Sequence, residues 1–249
     1  ENSCTACAAG THAVANAARL VATGRCDVMI AGGSEAAFVP TALAGFTNMT
    51  AFSSAGISRP FDADRDGFVM GEGAGILVLE EWETAIDRGA TIIAEVLGGA
   101  STADAHHITA PAPGGAGAVA CMELAMEEAG VTAAEIGHIN AHGTSTPLND
   151  MAEARAMEKV FGTPGPLVTS TKGITGHALG AAGALEAVAL ALSLQKALIP
   201  PTAGYTTPDP EMPPINLVLG GATPWEPGPS LSNSFGFGGH NGTLVMGPV

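Results

Sequence analysis

Residues 173 to 194, GITGHALGAAGALEAVALALSL, are almost entirely small or aliphatic. The pattern predicts a helix over 176–194 with no polar face, so it must be buried all round. It is not a membrane span, because His177 and Glu186 interrupt it. A helix of this kind needs other layers on both sides. Its small side chains let those layers come close. The whole chain shares the bias, with 34 glycines and only 4% aromatic residues, which points to tightly layered packing rather than an aromatic core.

Short apolar runs alternate with helical stretches along the rest of the 249 residues. Strands are expected at 27–32, 74–79, 92–97, 136–141, 167–170, 231–233 and 243–246. Helices are expected at 7–22, 41–47, 80–89, 118–129 and 149–160. Residues 53–67, 103–117 and 200–229 read as loops, the last rich in proline. Some strands are apolar throughout, so the pattern is α/β with sheets covered on both faces. No linker divides the chain, which is read as a single region, 1–249.

The charge excludes some partners. Nine basic residues stand against 24 acidic ones, a net −15, and a nucleic-acid surface must be basic. An anionic membrane is disfavoured on the same ground, and none of these residues reads as a signal peptide or a spanning segment. The four cysteines, at 4, 7, 26 and 121, do not form a metal-type set. Cys4 and Cys7 make one C-x-x-C with no second pair, which weakens both the redox and the zinc readings. Free thiols suit a reducing cytoplasm.

Cys7 lies at the start of a predicted helix among small residues. A helix N-terminus favours the thiolate, so Cys7 is a candidate nucleophile; the alternative is an inert buried thiol. His142 ends an apolar strand and precedes Gly143-Thr144-Ser145-Thr146. His177 sits in a second glycine-rich stretch. Strand ends in α/β folds gather catalytic groups. Phe235-Gly-Phe-Gly-Gly239 lacks the lysine of a phosphate loop, but its glycines let backbone N–H groups point into a site, as an oxyanion hole requires.

Together these stretches resemble the β-ketoacyl-[acyl-carrier-protein] synthases. The motifs are Thr5-Ala6-Cys7, Asn140 to Thr146, Lys172-x-x-x-x-His177-x-x-Gly180-Ala-Ala-Gly183, and Asn233 to Gly239. Ala31 to Glu35, Ser58 to Asp62, Arg65 to Phe68 and Gly71 to Gly75 match between them. Two histidines rather than one distinguish the pattern from thiolases and from starter-type synthases. Ala6-Cys7-Ala8-Ala9-Gly10 is unlike the modular polyketide pattern. The elongating type, synthase II, is the nearest.

The resemblance implies the thiolase-like fold, layered αβαβα. Residues of about 1–90 would end the first half and about 91–249 form the second. Family members carry roughly 150 more residues before the nucleophile, about a domain's worth, so the chain is expected to lack that portion. Cys7 would carry the acyl group. His142 and His177 would stabilise the enolate formed as malonyl-carrier protein loses CO2. The N–H groups of Cys7 and Phe237 would hold the oxyanion, with Phe237 also a gate. Lys172 would order the site electrostatically and Glu186 would support it. Thr144, Thr146, Phe235 and Gly236 would line the path of the substrate and its pantetheine arm. Asp104, His107 and Thr109 would belong to a loop at the entrance.

No metal or resident cofactor is implied, since phosphopantetheine arrives on the carrier protein. The resemblance also implies a cytoplasmic homodimer that docks acyl-carrier protein. A polyketide-cluster ketosynthase and a non-catalytic chain-length-factor partner remain alternatives, the second opposed by Cys7. Carrier proteins of this pathway are acidic, as is this chain. Docking therefore needs a local basic patch, for which Arg19, Arg25, Arg59, Arg65 and Lys172 are the candidates; Phe46 to Phe52 is neutral.

Overall fold

The computed structural model describes residues 1–249. In chain order its elements are α1 (Ala9–Ala22), β1 (Val28–Glu35), α2 (Pro40–Asn48), β2 (Gly73–Glu80), α3 (Trp82–Asp87), β3 (Glu95–Ala103), α4 (Ala116–Ala129), β4 (His138–Asn140), α5 (Pro147–Phe161), β5 (Leu167–Thr169), α6 (Lys172–Thr175), α7 (Ala182–Lys196), β6 (Leu198–Ile199), β7 (Asn216–Leu217), β8 (Thr223–Pro224), β9 (Ser230–Gly236) and β10 (His240–Gly247). No helix is long and apolar enough to cross a membrane.

Two sheets organise the chain. β1 and β2 form an antiparallel pair, in register from Val28↔Glu80 to Glu35↔Gly73. The second sheet has six strands in the order β3-β10-β9-β4-β5-β7. β10 is antiparallel to β3 and β9, whereas β4 is parallel to β9 and β5. Helices α1 and α7 lie between the two sheets, and α4 packs on the other face of the larger one beside α5. The layers thus run β, α, β, α within the thiolase-like arrangement. The outer face of β1–β2 carries no helix: Ile30 is 73% and Val78 65% exposed.

The middle helical layer explains the small residues. A Cβ on Gly10 of α1 would lie 2.6 Å from the Ala184 nitrogen of α7, and one on Gly75 of β2 2.6 Å from the Leu185 nitrogen. Neither contact leaves room for a side chain. Met29, Leu77 and Leu79 pack from β1–β2 onto Val14, Ala187, Leu190 and Leu194. Across the larger sheet, Leu231, Val245 and Ile139 meet Met122 and Ala125 of α4.

The strand expected at 92–97 is shifted to Glu95–Ala103, and the short α6 and β6 were not expected; three further departures bear on the site and its surroundings. The small-residue helix begins at Ala182, not at 176. His177 instead pairs with Met70: its N–H donates to the Val69 carbonyl at 2.7 Å, and its own carbonyl accepts from Gly71 at 3.0 Å. Positive φ angles at Gly176 (65°) and Leu179 (44°) keep this stretch out of a helix. The predicted helix at 7–22 opens with a 3-10 turn, Ala6–Ala8, so Cys7 precedes α1. The proline-rich connection contains β7 and β8, each only two residues long.

Candidate active site

Cys7 is delivered by the first turn before α1. Ala6 adopts φ 49° there, and the Thr5 hydroxyl bonds the His12 ring at 2.8 Å. Gly236, at the end of β9, approaches this turn so closely that a Cβ would lie 2.9 Å from the Thr5 carbonyl and 3.0 Å from the Cys7 nitrogen. The glycine allows the next residue, Phe237, to bring its backbone N–H to the Cys7 sulfur, where the N–H of Cys7 itself also acts. The two donors expected for an oxyanion hole therefore converge at one place.

His142 leaves the end of β4, and His177 follows the Met70 bridge. Their rings stand 5.3 Å apart and nearly perpendicular, at 85°. One ligating atom each of Cys7, His142 and His177 falls within 4.8 Å of the others. All three side chains are buried. Burial first, and then the charge of Lys172, hold both histidines well below 6.5, so both imidazoles are neutral near pH 7.

Lys172 is also buried. Its ammonium lies 3.3 Å from His142 Nδ1 and forms an ion pair with Glu186. An ammonium is only a donor, so His142 Nδ1 accepts and the ring proton sits on Nε2. This fixes a neutral N–H donor. It also weighs against a metal on the same three residues. A metal-ligating histidine normally gives its second ring nitrogen to a carboxylate or carbonyl, whereas this one faces a cation. Glu186 is raised to about 7, because burial outweighs its ion pair.

The thiol overturns one expectation. Cys7 is raised from 9.0 to about 11, chiefly by burial, with Lys172 and the Phe237 N–H pulling the other way. That rise corresponds to about 3 kcal/mol. A helix N-terminus contributes about 0.3–1 kcal/mol, about 2 at best. Desolvation therefore wins, and the resting group is a thiol.

A cleft of about 400 Å³ opens onto Cys7, His142 and His177. Thr144, Thr146, Phe235, Gly236, Phe237, Asp104 and Thr109 line it too. Lys172 and Glu186 lie behind His142. The Thr144 and Thr146 hydroxyls are 2.9 Å apart. Asp104 holds the loop at the mouth, accepting from Ala112 N at 2.8 Å and from the Asn241 amide at 2.7 Å. His107 accepts from Thr109 N at 3.1 Å. Phe68 lies edge-on to His177 at 5.3 Å and Phe235 near His142 at 5.8 Å.

Sequence reasoning did not single out Asp150 and Glu153 of α5, both fully buried near this site. Glu153 accepts from the backbone N–H of His142 and of Gly143, each at 2.8 Å. The signal was present: two acids three residues apart follow the histidine motif.

The comparisons with known proteins fit this geometry. The model of the β-ketoacyl synthase N-terminal domain matches residues 3–85, and that of the β-ketoacyl synthase C-terminal domain matches 93–206. The chain belongs to the β-ketoacyl synthase family. It is 48% identical over 254 residues to 3-oxoacyl-[acyl-carrier-protein] synthase 2 of Synechocystis sp., covering 98% of this chain and 61% of that protein. It is 50% identical over 250 residues to the protein of that name from Rhizobium meliloti, covering 97% of this chain and 59% of the relative. This β-ketoacyl synthase chain thus spans about 60% of the length of such relatives. Among solved structures it matches a type II polyketide acyl-carrier protein in complex with its ketosynthase, AntDE:AntF, with TM-score 0.96 and 38% identity, covering 98% of this chain and 62% of that one. The ishigamide ketosynthase/chain length factor matches with TM-score 0.94 and 40% identity, covering 98% and 60%.

Proposed function

We propose that the chain carries the site of a decarboxylating 3-oxoacyl-[acyl-carrier-protein] synthase that elongates fatty acyl chains. The observation that carries this reading is the gathering of Cys7, His142 and His177 at one end of a cleft, beside two converging backbone N–H groups.

In the first half-reaction Cys7 Sγ attacks the acyl thioester of the carrier. The pantetheine sulfur leaves with the proton, and the acyl group stays on Cys7. In the second, the bond between C2 and the carboxylate of malonyl-carrier protein breaks. CO2 departs and its electron pair remains as an enolate. The N–H groups of His142 and His177 donate to the enolate oxygen. C2 then attacks the acyl carbonyl, and the N–H groups of Cys7 and Phe237 hold the oxyanion, each worth roughly 3 kcal/mol. Collapse releases the 3-oxoacyl product and the Cys7 thiolate, which takes a proton from water to regain the resting thiol. Neutral imidazoles suit this task, since neither must surrender a charge.

Acyl-carrier protein is the partner in this reading, and a homodimer in the cytoplasm its setting. Of the bases considered for docking, Arg19 pairs with Glu128, Arg65 with Asp209 and Lys172 with Glu186. Arg25 and Arg59 remain for an acidic carrier. A polyketide pathway is the second reading, favoured by the type II polyketide ketosynthase among the structural neighbours.

The test uses acyl- and malonyl-pantetheine thioesters. Acyl transfer should label Cys7, found by digestion and mass spectrometry. Cys7→Gln should abolish condensation while decarboxylation persists. Acylation at Cys4, Cys26 or Cys121 instead would refute the assignment.

A further inference from the structure

Two carboxylates that this chemistry does not use lie beneath the turn carrying His142. Asp150 and Glu153 are three residues apart on α5 and so share one face. They are 0% and 1% exposed. Neither has an ion-pair partner. Burying two acids this way is costly, and apolar side chains would fill the space at less expense.

Three of their four oxygens accept from backbone N–H groups, and Asp150 Oδ1 accepts from the Asn149 amide at 3.0 Å. Glu153 Oε1 accepts from His142 N and Oε2 from Gly143 N. Asp150 Oδ2 accepts from Phe61 N at 2.8 Å and from Ser145 N at 3.1 Å. Phe61 and Ser145 adopt φ 64° and 70°, and Gly143 φ 41°. Left-handed conformations cost non-glycine residues about 1–3 kcal/mol each and persist only where surroundings hold them. The chain here has left β4 and not yet entered α5, so neither element satisfies these N–H groups. The N-terminus of α5 favours negative charge at the same place.

We infer that Asp150 and Glu153 are positioning residues that fix the backbone from His142 to Ser145, and through it the imidazole over the Cys7 sulfur. This rests on the reading of His142 as an enolate donor. Above its raised pKa of about 7, Glu153 is a carboxylate, acceptor-only and with two oxygens for two adjacent N–H groups. An amide offers one acceptor and would turn a donor toward the second N–H. His177 has no such support, since its backbone pairs with Val69 and Gly71. The two histidines should therefore respond differently when α5 is altered.

The experiment compares Glu153→Gln, Glu153→Asp and Asp150→Asn with the parent chain labelled with 15N-histidine. In Glu153→Gln the His142 imidazole resonances should shift while those of His177 stay. Malonyl-thioester decarboxylation should fall about 10²-fold in kcat, the scale of a 1 Å misplacement, with KM and acyl transfer to Cys7 little changed. Glu153→Asp keeps both oxygens and should recover part of the rate; it also carries the comparison if the glutamine variant does not fold. Asp150→Asn should disturb His142 in the same sense. Unchanged His142 resonances, or His142 and His177 moving together, would overturn the inference. If the parent chain does not decarboxylate at all, the functional reading fails, and the resonances still decide the positioning role.

Discussion

The two sheets meet the same middle helices but live under different conditions. The six-stranded sheet is covered on both faces, and Leu231, Leu244, Val245 and Ile139 are wholly buried. The β1–β2 pair is covered on one face only, and Val28, Ile30, Ile76 and Val78 stand in solvent on the other. The candidate site straddles that boundary. His142 and Lys172 follow strands of the six-stranded sheet, whereas Glu186 stands on α7 of the middle layer and His177 pairs with Met70 just before β2. The thiol sits at the tip of a middle-layer helix, pressed against β9 through Gly236. His142 is therefore anchored in the six-stranded sheet, while Cys7 and His177 depend on how well the middle layer and the approach to β2 are clamped.

The strongest challenge to this contrast is Lys172→Met. It leaves Glu186 buried without its partner, and breaking such a pair costs about 3–5 kcal/mol. Glu186 has its pKa raised to about 7 and can take up a proton, so the loss should be larger at pH 8 than at pH 6. Urea unfolding at the two pH values checks this. A smaller effect compares equivalent truncations on the two sheets. Leu231→Ala should cost about 2–5 kcal/mol, whereas Ile30→Ala on the bare face should stay within about 0.5 kcal/mol. Similar midpoint shifts for the two would break the comparison.

The smallest effect at neutral pH is His138, whose ring nitrogens both lack partners beneath Trp225. Burial lowers it from 6.5 to about 3. Its neutral form is therefore the folded one, and its contribution is complete above 6.5 and lost as pH falls toward 3. Glu153 and Glu186, raised from 4.5 to about 7, act in the opposite sense and weaken the fold as pH rises from 4.5 to 7. His138→Phe should remove up to about 1.4 kcal/mol per pH unit from the acid slope. Denaturant midpoints at pH 6.5, 5 and 4 measure it, and an unchanged slope would exonerate His138.

Most strands and helices were legible because their periodicity is local. Apolar runs at 27–32 and 74–79 became β1 and β2, and the expected helices at 118–129 and 149–160 became α4 and α5 within two residues. What failed was set by distant partners. His177 left the helix because Met70, far back in the chain, pairs with it. The Cys7 thiol is raised because residues from the other half bury it, which no neighbouring residue announces. The meeting of Cys7, His142 and His177 was readable only through the resemblance, since no spacing rule joins positions so far apart. Asp150 and Glu153 were not singled out, because the turn they hold is brought above them only by the fold.

The bare face of β1–β2 has one more consequence. Each strand of that pair also has an edge without a neighbour, so an apolar surface and open hydrogen-bonding groups lie side by side, the combination that recruits other chains. The net charge of −15 opposes such association at low ionic strength. Screening shortens its reach to about 10 Å near 0.1 M salt. For these 249 residues taken by themselves, association is thus governed by the electrolyte: dilute buffer keeps copies apart, and added salt lets the exposed isoleucines and valines find one another.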